Sequence, residues 1–354
     1  MPDQDSTPAG MIAALTTATL RAMEAMTTQA RHLHPAEFAP PAPDAALPLA
    51  LAASRAFAWP DRWAPVRDCL ERAATAMAEG QAALAEATTM PEAWRALRAL
   101  PRAMEAIYPL AAFLPAISRY FLEPALRDDA ALAARLASAP PGRDGVGVMH
   151  LDAPAGTRGA CSLYVPEYYD AARPWPLVVA LHGGHGDGAR FLWNWVRAAR
   201  GQGVAVLAPT ALGATWSILE PELDGPNIAR MIAEVSARWN LDPARRLLTG
   251  MSDGGSFTYS LGLSAEPAFS HLAPVAANFH PVLTMAMNPE HTQGLPIRIL
   301  HGARDWMFPP DVALSAAQLL RQVGARVECH ITAGLGHNYP MEESAAILDW
   351  FLQV

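Results

Sequence analysis

One serine, one aspartate and one histidine stand in settings that suit acyl-transfer chemistry. Ser252 lies in Gly250-Met251-Ser252-Asp253-Gly254, a G-x-S-x-G pattern between the apolar run Arg246-Leu247-Leu248-Thr249 and a helix-compatible segment. In that strand–turn–helix setting the pattern forms a nucleophile elbow, a turn so tight that the serine sits in strained backbone with its hydroxyl exposed above a sheet. Gly250 and Gly254 fit such a turn because neither carries a Cβ where strand and helix come close. Asp305 closes Ile299-Leu300-His301-Gly302-Ala303-Arg304-Asp305, at the C-terminal end of a strand pattern. His337 sits in Gly334-Leu335-Gly336-His337-Asn338-Tyr339-Pro340, ahead of the last helical pattern. A serine hydroxyl is a weak nucleophile at neutral pH. An imidazole must take its proton and later deliver it to the leaving group, while a carboxylate holds the imidazole tautomer. The oxyanion formed on attack needs two N–H donors. Asp253 N–H is expected to be one, and Gly184 N–H in the loop His182-Gly183-Gly184-His185-Gly186-Asp187-Gly188 the other; His185 N–H is the alternative if that loop is set one residue on.

Other residues compete for these roles. Asp311 also follows the acid strand, but Pro309-Pro310 ahead of it marks a helix start, so helix capping is expected of it. His330 lies inside a strand pattern and His301 at a strand end, both read as structural. His182 and His185 have no third ligand near them, so no metal site is expected. The Asp253 carboxylate, beside the nucleophile, would cap its own helix and repel anionic substrates. Trp193, Trp195, Trp216, Phe279, Trp306, Met307 and Phe308 gather at the same end of the strands. Of these, Trp216, Trp306 and Phe279 are expected to line a substrate pocket, and Trp193 and Trp195 to pack a helix into the core.

Holding three such side chains together requires a sheet whose strands end at one edge. From Gly145 short β-rich runs alternate with helical patterns. Val146 to Leu151 and Ala160 to Val165 read as an antiparallel pair, and Pro176 to Leu181 as a buried parallel strand. Further strands are expected over Gly203–Ala208, up to Thr249, Leu272–Ala277, Leu295–Leu300 and Arg326–Ile331, with helices between them. The alternation predicts a mostly parallel sheet covered on both faces, with every parallel strand delivering its C-terminus to one edge.

The first 144 residues have another texture, Ala-rich and helical with Pro interruptions. Ile12, Leu15, Thr19, Met23, Met26 and Leu33 mark one long amphipathic helix ending before Pro35. Phe38 to Pro48 reads as an extended connector. Trp63, Val66, Leu70, Ala73 and Met77 form a second stripe, stopped at Gly80. Thr89-Met90-Pro91-Glu92 has the capping-box form. Ile107, Phe113, Leu114, Ile117 and Phe121 continue the pattern with kinks at Pro109 and Pro115. The division is therefore an all-α domain over 1–144 and an α/β domain over 145–354. The apolar helices are expected to dock on the second domain as a cap over its active edge, or to serve stability or a homodimer contact.

Composition excludes other classes. The 354 residues carry a net charge of −8 without a block of Lys and Arg, which argues against nucleic acid as a partner. No apolar run reaches the about 18 residues of a membrane span. Asp3 and Asp5 precede the most apolar N-terminal stretch where a signal peptide would carry basic residues, so a cytoplasmic address is the expectation. Cys69, Cys161 and Cys329 are too scattered for a disulfide framework or zinc site and read as buried thiols.

Residues from about 145 to 354 resemble the α/β-hydrolase superfamily, in particular esterases grouped with poly(3-hydroxybutyrate) depolymerases, feruloyl esterases and the phospholipase/carboxylesterase family. The resemblance rests on LVVALHGGHGDG, LDGPNIARMIAEVSARWNLDPARRLLTGMSDGG, ILHGARDWMFPP and GLGHNYP. Ser, Asp and His occur in the chain order that superfamily requires. It implies an α/β-hydrolase fold and a serine esterase acting on a small-molecule ester without cofactor. A thioesterase, amidase or acyl transferase would use the same triad; a non-catalytic scaffold with a vestigial triad is the reading from another class. Asp253 departs from the Asn or Ala often found after the nucleophile in that group, and the N-terminal helices lie outside the resemblance.

Overall fold

The computed structural model describes residues 7–37, 45–151, 153–264 and 269–353, which form two compact units, Met1–Asp128 and Asp129–Val354. Most of the expected connector from Phe38 lies outside the described residues.

Among the described residues the first unit is helical: α1 (Pro8–Arg31), α2 (Ala46–Ala56), α3 (Ala64–Glu86), α4 (Met90–Leu97), α5 (Ala99–Ile107) and α6 (Pro115–Tyr120). The Thr7 hydroxyl opens α1 by accepting from Gly10 N–H, and Ile12, Leu15, Thr19, Met23 and Met26 form its buried stripe. Helix α3 runs through Gly80 instead of stopping there. A Cβ at that position would lie 2.2 Å from the Ala99 Cβ, so the glycine lets α3 and α5 touch. The capping box of α4 is formed in both directions between Thr89 and Glu92. Pro109 and Pro115 break the next pattern: a 3₁₀ turn covers Tyr108–Ala112, and Pro115 takes the first position of α6.

The second unit begins with α7 (Ala130–Ser138), which is capped by the Asp129 carboxylate. Among the described residues eight strands follow: β1 (Gly147–Leu151), β2 (Cys161–Val165), β3 (Trp175–Leu181), β4 (Ala205–Pro209), β5 (Leu241–Met251), β6 (His271–Val275), β7 (Pro296–Gly302) and β8 (Arg326–Thr332). They make one sheet in the order β1-β2-β4-β3-β5-β6-β7-β8. β1 pairs antiparallel with β2 and β2 with β4; every other pairing is parallel. The seven residues of β3 are all buried, as a central strand covered on both faces requires, whereas β8 at the edge alternates between exposed and half-buried. Between the strands run α8 (Gly188–Phe191), α9 (Val196–Gln202), α10 (Pro221–Arg238), α11 (Asp253–Gly262), α12 (Leu283–Ala286), α13 (Pro289–Thr292), α14 (Pro310–Gln322) and α15 (Glu343–Leu352). Between α8 and α9 a 3₁₀ turn at Leu192–Asn194 interrupts the helical run. Among the described residues no cysteine forms a disulfide, and of the three only Cys161 is buried, Cys69 and Cys329 being half-buried. Among the described residues no helix is long and apolar enough to cross a membrane.

Candidate active site

Ser252 sits between β5 and α11 with φ 55° and ψ −120°, a left-handed conformation that a non-glycine residue adopts only when its surroundings enforce it. Two glycines permit the turn. A Cβ at Gly250 would lie 2.5 Å from the Gly254 backbone, and one at Gly254 would lie 2.4 Å from the carbonyl oxygens of Leu181 and His182. The elbow is also tied sideways to β6, because Ser252 N–H donates to Val275 O at 3.0 Å.

His337 lies beyond β8 and reaches both partners. Its Nε2 is 2.9 Å from Ser252 Oγ, and its Nδ1 is 2.9 Å from Asp305 Oδ2. A carboxylate only accepts, so Nδ1 carries the proton and Nε2 is left to accept from the serine hydroxyl. Asp305, in the turn after β7, is held from behind: Oδ1 accepts from Met307 N–H at 2.9 Å and Phe308 N–H at 2.8 Å. Gly302 brings the two loops together, since a Cβ there would lie 2.3 Å from Leu335 O. Ser252 after a central parallel strand, Asp305 after β7 and His337 after β8 follow in the chain order Ser, Asp, His. The second unit has the α/β-hydrolase fold.

No family model matches the chain. Over 164 residues, 44% of its length, it is 28% identical to a probable feruloyl esterase C of Aspergillus niger, and to the same degree to feruloyl esterase C of Emericella nidulans. The matched region spans 58% of the length of those relatives. Among solved structures it is similar to an acetyl xylan esterase from Aspergillus awamori, at 16% identity over 58% of this chain and 98% of the other, with a TM-score of 0.47. Esterase PE8 matches at 19% identity over 58% of this chain and all of the other, with a TM-score of 0.44.

The expected oxyanion donors of this α/β-hydrolase unit differ in availability. His185 N–H donates to Ala214 O at 3.0 Å, so the alternative donor is already engaged. Among the described residues neither Gly184 N–H nor Asp253 N–H meets an acceptor. The Asp253 carboxylate does not cap α11; it accepts from the Thr215 hydroxyl at 2.6 Å, close against Gly184.

Two of the three residues expected to line a pocket belong to the core. Trp216 is 3% exposed, stacks on Phe257 and donates its indole N–H to His182 O at 2.7 Å. A buried indole N–H needs an acceptor, and this one finds it at the start of the loop after β3. Phe279 is buried edge-on against Tyr259. Trp306, half-buried, remains beside the site with its ring centroid 6.2 Å from that of His337, and Phe308 approaches the same imidazole to 5.4 Å. Trp193 and Trp195 are buried, and Trp195 packs on Tyr339 in the histidine loop.

His182 and His301 are braces. His182 accepts from Ala211 N–H at Nε2 and therefore donates from Nδ1 to Gly183 O at 2.7 Å, which occupies both ring nitrogens. Burial lowers its pKa to about 4, so the ring is neutral near pH 7. His301, fully buried in β7, donates from Nε2 to Phe308 O at 2.8 Å and lies 3.3 Å from Asp305 Oδ2. Among the described residues no cluster of three or more His, Cys, Asp or Glu side chains is arranged to hold a metal ion. Asp311 is exposed in the first turn of α14, where Pro309 rather than the carboxylate takes the cap position.

Proposed function

We propose that the second unit is a serine hydrolase that cleaves carboxylic esters through an acyl-enzyme on Ser252. One observation carries this reading: His337 bridges Ser252 Oγ and Asp305 Oδ2 through two 2.9 Å hydrogen bonds, where the chain segments after β5, β7 and β8 meet. His337 Nε2 takes the hydroxyl proton as Ser252 Oγ attacks the ester carbonyl. Asp305 stabilises the imidazolium and keeps its remaining N–H on Nδ1. The tetrahedral oxyanion falls to the two open N–H groups, Gly184 and Asp253, each worth about 3 kcal/mol to the transition state. The imidazolium then protonates the departing alcohol. Water, activated by the same His337, releases the acid and restores Ser252.

Trp306 and Phe308 flank His337 and supply an aromatic wall for the leaving group or acyl chain. The similarity to feruloyl esterases makes hydroxycinnamate esters natural members of a substrate panel. The test is labelling of the full chain by a fluorophosphonate, with the adduct located by peptide mass, followed by p-nitrophenyl esters from acetate to palmitate, methyl ferulate, and thioester and amide analogues. A single adduct on Ser252 with ester turnover is expected. Folded protein that forms no adduct would overturn the reading.

A further inference from the structure

The proposed chemistry makes no use of Asp224, a buried carboxylate. Asp224, in the first turn of α10, is 3% exposed. Its Oδ1 accepts from Leu212 N–H at 2.9 Å, and its Oδ2 accepts from Ser217 N–H at 2.9 Å and the Ser217 hydroxyl at 2.8 Å. Burying a carboxylate is costly unless several donors replace its water. Here the donors are the two ends of one loop, so the charge closes residues 212–217 into a single shape.

That loop grips the oxyanion site at every turn. Just before it, Ala211 N–H donates to His182 Nε2 at 3.1 Å; within it, Ala214 O accepts from His185 N–H at 3.0 Å. The Thr215 hydroxyl donates to Asp253 Oδ2 at 2.6 Å, and Trp216 Nε1–H donates to His182 O at 2.7 Å. The strand end and loop at 182–185 and the first residue of α11 are thus both held by the segment that Asp224 closes.

We infer that Asp224 is the positioning residue of the oxyanion site: through the loop at 212–217 it aims the Gly184 and Asp253 N–H groups at the oxygen of the tetrahedral adduct. The inference rests on the reading of Ser252 as nucleophile. Oxyanion donors act only when they stand 2.7 to 3.1 Å from the place the charged oxygen will occupy, so a loosened loop weakens transition-state binding more than ground-state binding.

The test uses the full chain. Asp224→Asn replaces one acceptor oxygen by a donor and releases one end of the loop. Trp216→Phe keeps the stack on Phe257 but removes the bond to His182 O. For p-nitrophenyl acetate, kcat should fall at least about tenfold in each, against about 10² to 10³ for outright loss of one donor, with KM within about twofold. The dissociation constant of phenylboronic acid, which forms a tetrahedral adduct on the serine, should rise by the same factor as kcat/KM falls. The double variant should lose less than the product of the two single losses, because both act through one loop. Unchanged kcat and boronate affinity in folded Asp224→Asn, or in Trp216→Phe should the first variant not fold, would overturn the inference. So would a loss of turnover with boronate affinity intact. A parent protein that neither turns over ester nor binds boronate would overturn the assignment of Ser252 itself.

Discussion

Asp305→Asn tests the proposed acid at the level of single atoms. The substitution turns one carboxylate oxygen into an NH₂ group, and the two oxygens have different partners. Oδ1 accepts from Met307 and Phe308 N–H, while Oδ2 accepts from His337 Nδ1 and lies near His301 Nε2. An amide with its NH₂ in the Oδ1 place would face two backbone N–H groups and leave both unpaired. At about 1–3 kcal/mol for each buried donor left without an acceptor, that orientation costs about 2–6 kcal/mol. The amide therefore turns its NH₂ toward His337. There it meets Nδ1 as a donor, so the imidazole proton moves to Nε2, and the ring becomes a donor toward Ser252 Oγ instead of an acceptor. The general base is removed without moving the ring. We expect kcat to fall about 10⁴-fold, the scale known for replacing the aspartate of such a triad by asparagine, or about 5 kcal/mol of transition-state stabilisation. KM should change little, because the acid does not touch substrate. Asp311→Asn, at an exposed carboxylate in the first turn of α14, should leave kcat at the parent level. The assay is steady-state hydrolysis of p-nitrophenyl acetate by both variants, with circular dichroism melts to establish folding. Equal losses in the two, or retention of more than about a tenth of parent turnover by folded Asp305→Asn, would refute the assignment.

Ser252→Ala should reduce turnover to the residual rate supplied by the oxyanion site and binding, while stability measured by urea melts stays within about 1 kcal/mol, since one hydroxyl is removed and the turn retained; retention of substantial ester turnover would point to another nucleophile. Acid should destabilise the fold, because burial holds both His182 and His271 down to about 4 against about 6.5 for a free imidazole. The unfolded chain takes up these protons first, so stability is full above about pH 6.5 and falls as pH drops toward 4, by up to about 3 kcal/mol for His182; a flat urea midpoint between neutral pH and pH 5 would contradict this. A fragment of residues 129–354 should melt higher than one of 145–354, since the shorter piece loses the Arg135 guanidinium 4.8 Å from the Tyr168 ring and the Arg143 bond to Tyr169 O at 2.8 Å, together worth about 2 kcal/mol. Differential scanning calorimetry of the two fragments decides it, and equal midpoints would show that the segment contributes nothing.

The candidate triad was legible in the sequence because each member is announced locally. An apolar run marks a strand, the residue after it falls at the sheet edge, and the elbow needs its glycines within two residues of the serine. Parallel pairing then puts all such ends on one side whatever the loops do between them. Helix α1 and the capping box of α4 were readable for the same reason, since a stripe at three- and four-residue steps or a Thr–Glu pair three apart is complete within its own element. Only the tertiary structure decided what buried polar atoms and aromatic rings meet. Trp216 after β4 and Trp306 after β7 look alike in sequence. One packs under the loop after β3 and the other stays beside His337, because Phe257 of the buried helix α11 offers the first a stacking face. Gly80 reads as a helix stop until α5 is seen lying against it. Asp224 gave no sign of its loop, nor His301 of its place beside Asp305. A hydropathy pattern states that a residue is covered, whereas the identity of the atom covering it depends on register between segments far apart in the chain.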